Sequence, residues 1–159
     1  MIAIINAKIN TITKGIIEKG CILIEEGEIK AIGESIEIPK DAYIVDAANK
    51  WITPGIIDAH THVGIYEETI GWAGADGNEM TDPATLHVRA LDAINPFDQG
   101  FKDAYQGGVT TVQVMPGSAN VIGGEMSIHQ MFQIWILKME TLIKVLKGDS
   151  SKSSCTSCR

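Results

Sequence analysis

The stretch that most constrains this chain is Trp51–Gly64, reading WITPGIIDAHTHVG. Ile56 and Ile57 form a short apolar run bounded by Pro54-Gly55 and by Gly64, a pattern that predicts a buried strand. Residues two apart on a strand share a face. His60 and His62 therefore project together, with Asp58 one step earlier on that face. Two neutral imidazoles side by side make half of a divalent metal site. Taken alone, His-x-His spacing fits two exposed strand histidines equally well.

The whole string is more specific than the pair. Pro54-Gly55-Ile56-Ile57-Asp58-Ala59-His60-Thr61-His62 resembles the signature at the first barrel strand of the amidohydrolase superfamily, and within it the imidazolonepropionase-like and related branch. Members hydrolyse C–N bonds with one or two metals in a (β/α)8 barrel. The resemblance runs from about Met1 to Met126 and takes in Gly108-Val109-Thr110-Thr111-Val112. It implies that His60 and His62 are metal ligands, for zinc first, with iron or manganese as alternatives. Asp58 either orients them or is a structural carboxylate. The resemblance places the other ligands, a Lys or Glu and two His, on strands this chain does not contain. The Asp that handles the proton as general acid or base is likewise expected outside it.

Length then bounds the architecture. A chain of 159 residues buries one respectable core, whereas a complete barrel of this kind needs roughly 250 residues. The sequence therefore reads as an incomplete N-terminal fragment of α/β class. Residues 1–52 are expected to form a small β-sandwich segment, 53–147 the first βα units of a truncated (β/α)8 barrel, and 148–159 a polar disordered tail. A formal charge of −7 and a pI near 5.0 leave no electrostatic footprint for nucleic acid or an anionic membrane. The expected partner is a small-molecule substrate. The opening MIAIINAKIN shows no secretory leader, and no run of eighteen uncharged apolar residues predicts a membrane span. Cys21 sits in a strand-like run and reads as buried and inert. Cys155 and Cys158 form a CxxC that is a redox pair, half a zinc site or neither; reduced thiols in the cytoplasm are the default.

In chain order, residues 2–8 and 20–25 are Ile-rich strands, and Glu26-Gly27 predicts a hairpin into Glu28-Ile29-Lys30-Ala31-Ile32. Ile36 and Ile38, then Tyr43 to Asp46, read as further short strands closed by a turn at Ala47 to Lys50. The aperiodic stretch from Gly64 to Asp82 is long enough to be functional. It offers Glu67, Glu68, Trp72 and Asp76 as lid or substrate contacts, or else a solvated acidic loop. Thr81-Asp82-Pro83 predicts the start of a helix running to Ile94, with Leu86, Ala90, Leu91 and Ile94 on one stripe and His87 on its surface. A second helix is expected over Pro96 to Gln106, stopped by Gly107-Gly108. Val109 to Met115 follows as a strand, completing a βαβ rhythm. The glycine-rich loop Pro116 to Asn120 and Gly123-Gly124-Glu125 matches no phosphate-loop spacing, and offers Glu125 as a substrate contact. From Ile128 to Lys147 apolar residues recur at helical spacing, with His129 on that helix's surface, and the polar tail SSKSSCTSCR cannot pack a core.

Two functional readings follow. One is a metal-dependent hydrolase of non-peptide C–N bonds, of a cyclic amide or similar substrate, present as its N-terminal part and inactive alone. The other is a catalytically inactive remnant or a non-hydrolytic member of the same superfamily. Either would self-associate through exposed strand edges.

Overall fold

The computed structural model describes residues 1–131, which fall into two compact units, one holding Met1–Pro54 and the other beginning at Gly55. The first is a five-stranded mixed sheet. β1 (Ile2–Asn10), β2 (Ile16–Glu25), β3 (Glu28–Gly33) and β4 (Tyr43–Asp46) lie in the order β3-β2-β1-β4, and β5 (Trp51–Ile52) also pairs with β1. β2 runs antiparallel to both β1 and β3, while β4 and β5 run parallel to β1. The alternating Ile pattern accounts for two apolar faces. Ile4, Ala7, Ile9, Ile22 and Val45 build one core cluster, and Ala3, Cys21 and Leu23 build another. Burial also pushes the Cys21 thiol pKa up, as expected of an unreactive buried cysteine.

The Glu26-Gly27 reversal is a two-residue hairpin loop in which both residues have positive φ, 51° and 80°. That is the turn whose twist matches the flanking strands. A Cβ on Gly27 would meet nothing within 4 Å, so Gly27→Ala isolates the backbone penalty. It should destabilise the sheet by about 1–2 kcal/mol, read as a lower urea midpoint at unchanged slope. Ile36 and Ile38 are not strand residues. They lie in the β3–β4 connection and pack against the Ala3–Cys21–Leu23 cluster, because covering that face buries their side chains without a ladder partner. A bulge in β1 was not foreseen. The register slips around Ala7, and Asn6, at φ 55°, donates to Asp46 Oδ1 at 3.1 Å. The bend lets β1 change neighbours from β4 to β5.

The second unit holds a three-stranded sheet, β6 (Ile56–Thr61), β7 (Val109–Val114) and β8 (Ser127–Gln130), in that order. β6 and β7 are parallel, as the βαβ rhythm predicts, but β8 is antiparallel to β7. The core gathers Ile65, Ala90, Val112 and Val114, with Val63, Ile94 and Phe101 packed against them.

Several expectations fail here. Ile56 and Ile57 are 54% and 70% exposed rather than buried, since β6 is an edge strand with a ladder on one side only. The helix expected from Thr81 to Ile94 shrinks to α1 (Ala90–Ala93). Residues 83–90 instead spend their backbone groups on the distant segment 122–125: Thr85 N–H to Ile122 O at 3.0 Å, Glu125 N–H to Val88 O at 2.8 Å and Ala90 N–H to Glu125 O at 2.9 Å. Such pairing satisfies the amides that a helix would otherwise use, and it leaves Leu86 and Leu91 exposed. Asp82 accordingly caps no helix and accepts the Ala84 N–H in a local turn. The helix expected from Ile128 starts as strand β8, because the open edge of β7 provides a ladder that outweighs helical periodicity. His129 is thus a half-buried strand residue paired with Val112, not a helix-surface one. The remainder of that expected helix, the polar tail and the CxxC lie outside the described residues. The second helix does form, as α2 (Gln99–Gln106), and of the expected Gly107-Gly108 stop Gly108 takes the left-handed conformation at φ 94°.

Candidate metal centre

β6 delivers His60 as its penultimate residue, and His62 follows directly after the strand ends. The two rings sit side by side, centroids 5.5 Å apart and planes at 90°. His60 is exposed and His62 half-buried. The β6–β7 register slips between Asp58 and Thr61, so the alternation that would carry Asp58 onto the histidine face is broken. Asp58 acts on the main chain instead, its Oδ1 accepting the His60 N–H at 3.0 Å.

His62 is oriented from the neighbouring strand. Its Nδ1 lies 2.7 Å from the carbonyl oxygen of Met115, just past the end of β7, and Met115 N–H returns to Thr61 O at 3.0 Å. A carbonyl only accepts, so Nδ1 carries the hydrogen, and in the neutral ring the Nε2 lone pair is left free. A backbone carbonyl behind one imidazole nitrogen is the usual support for a metal-binding histidine. His60 and His62 are therefore the groups that would hold a divalent metal here. Among the described residues no cluster of three or more His, Cys, Asp or Glu forms a fuller set.

The segment after His62 is pinned by Asp98, which sequence reasoning missed. This buried carboxylate, 5% exposed, accepts Gly64 N–H through Oδ2 and Glu68 N–H through Oδ1, both at 3.1 Å. An acidic residue before a helix ordinarily signals a cap, yet Asp98 makes no side-chain cap bond to α2. Asp98→Ala would strand two amides, and should cost about 1–3 kcal/mol, seen as a lower thermal midpoint; an unchanged midpoint would show that the loop holds itself.

The remaining sequence candidates are placed as follows. Glu67 accepts a hydrogen bond from the Asn95 side chain and is tied into the loop. Trp72 lies on a 3-10 turn, Gly71–Gly74, and is 92% exposed. Glu125 pairs its main chain with Val88 and Ala90. In the glycine-rich loop, a Cβ on Gly117 would strike Asn78 and one on Gly124 would strike the Val88 backbone, whereas Gly123 has open space around it. Tyr66 had not been singled out; its ring meets His62 edge-on at 5.6 Å and 82°.

No family model matches the chain. An amidohydrolase structure from Thermotoga maritima MSB8 superposes with a TM-score of 0.75 at 46% identity, covering 84% of this chain and 34% of that one. Amidohydrolase tasK from Hapsidospora irregularis is 38% identical over 109 residues, 67% of this chain and 11% of the relative. Imidazolonepropionase from Vibrio cholerae is 41% identical over 65 residues, 41% of this chain and 14% of the relative. The chain thus spans between 11% and 34% of the length of these proteins. Together with the paired histidines at the end of β6, these likenesses assign the chain to the amidohydrolase superfamily, on an N-terminal portion of it.

Proposed function

We propose that this chain supplies the first strand and the first two metal ligands of a metal-dependent hydrolase acting on non-peptide C–N bonds. The observation that carries the reading is the His62 ring, held by the Met115 carbonyl with His60 beside it. When bound, a divalent metal, zinc foremost, supplies Lewis acidity toward a carbonyl and acidifies a water at neutral pH. His60 and His62 would hold it through ring nitrogens, Asp58 holds the His60 amide, and Asp98 ties down the following loop through the Gly64 and Glu68 amides. In this proposal β6, α2 and β7 begin a barrel within residues 53–147, residues 1–52 form a sandwich layer, and further ligands and the proton-handling carboxylate come from additional chain. The cyclic amide class of substrate rests on the imidazolonepropionase likeness, and reducing cytoplasm on the free thiol of Cys21. Among the described residues no helix is long and apolar enough to cross a membrane.

The rival reading, an inactive remnant, is favoured by the lack of a third donor near the pair among the described residues. Zinc titration and hydrolysis assays on a cyclic amide separate the two. The proposal expects this chain to bind one zinc weakly through the two histidines, without turnover, and to associate through the open edge of β6. Zinc affinity indifferent to both histidines would sink it.

A further inference from the structure

His62 is held on two sides. The Met115 carbonyl faces Nδ1, and the Tyr66 ring meets the imidazole edge-on. Tyr66 is itself locked in place. Its N–H bonds to His62 O at 3.1 Å, and its hydroxyl accepts from Asn78 Nδ2 at 2.6 Å. Asn78 Oδ1 in turn accepts the Ala119 N–H at 3.2 Å. Gly77 and Gly117, bonded to each other at 2.6 Å, bring bare backbone against this pair: a Cβ on Gly77 would strike the Tyr66 ring, and one on Gly117 would strike Asn78 Oδ1. Two other segments, 77–78 and 117–119, thus converge on Tyr66, which remains 36% exposed. Its burial is modest, so the convergence serves the ring's orientation more than core packing.

We infer that Tyr66 is a positioning residue for His62. One hydrogen bond to Met115 leaves the imidazole free to swing about that bond, and the Tyr66 ring in T-shaped contact with it removes this freedom, keeping Nε2 in one direction. The inference rests on the reading of His60 and His62 as metal ligands. Neither the Pro54–His62 string nor the spacing of the histidines points to Tyr66.

The test uses the full chain, with zinc alone as the probe and long-range ¹H–¹⁵N spectra of the His62 ring without metal. Tyr66→Ala should weaken zinc binding about tenfold, the lower end for groups that support a ligand. Tyr66→Leu, which fills the space without a ring edge, should do the same and guards against simple loss of fold. Tyr66→Phe keeps the ring and should recover most of the affinity. Asn78→Ala removes the same hydroxyl bond and also frees the Ala119 N–H, so it should be at least as damaging as Tyr66→Phe, and the double variant no worse than Asn78→Ala, because the hydroxyl bond is shared. In the metal-free chain, His62 should show a single Nδ1–H tautomer that becomes averaged in Tyr66→Ala. Zinc affinity and ring spectra both unchanged in Tyr66→Ala and Tyr66→Leu would overturn the inference, as would Tyr66→Phe proving as damaging as Tyr66→Ala. Should His60→Ala and His62→Ala leave zinc affinity untouched, the ligand reading fails by itself, and the ring spectra still decide whether Tyr66 orients His62.

Discussion

Alanine at both His60 and His62 is expected to lower the zinc affinity of this chain by more than about 100-fold, since even groups standing behind a ligand are worth roughly 10–100-fold. The single variants should not be equal. His62 is half-buried and its ring is fixed by the Met115 carbonyl, whereas His60 is exposed and held through its backbone amide by Asp58. A preorganised ligand loses less freedom on binding, so His62→Ala should cost more than His60→Ala. Calorimetric titration of the four proteins checks both the size and the order. Equal affinity in wild type and double variant would remove the metal centre from consideration.

Gly64→Ala should be strongly destabilising, because the site combines a left-handed backbone with a close contact. Gly64 has φ 79°, and a Cβ there would lie 2.6 Å from Phe101 Cε2 and 3.1 Å from the Asn95 carbonyl. Its own N–H and C=O are both engaged, by Asp98 and by the Asn95 N–H. The left-handed backbone costs about 1–2 kcal/mol for a side chain, and overpacking against an anchored ring adds about 1–3 kcal/mol. A loss of roughly 2–5 kcal/mol should lower the melting midpoint of the second unit by on the order of 10 °C or more. Gly27→Ala, with open space around it, should show only the backbone part. Similar losses in the two variants would mean that Phe101 yields to the new methyl.

The comparison between these glycines also marks what local sequence can convey. The strands β1 to β4, the Glu26-Gly27 hairpin and the parallel β6–β7 pair were readable because branched runs and turn residues are local signals. The adjacency of the two histidine rings follows their close spacing, His60 inside β6 and His62 one residue past its end. The failures share a different cause. α1 was overestimated because residues 83–90 give their amides to a segment some thirty-five residues on, as in the Thr85–Ile122 bond, and β8 was read as helix because its partner is β7. Met115 stands 53 residues from His62, and Asp98 stands 34 from Gly64. Neither carries a residue type that advertises its role: Met115 contributes only a carbonyl, and Asp98 occupies a position where an ordinary cap would suffice.

The bond from His62 to Met115 makes strand register a chemical quantity. His62 is the first residue past β6 and Met115 the first past β7, so a slip of one residue between the strands would present an amide or a side chain to Nδ1 in place of a carbonyl oxygen. The proton would then be free to move to the other nitrogen, and the lone pair offered to a metal would turn away. The tautomer of a single imidazole therefore reports whether β6 and β7 have paired in register.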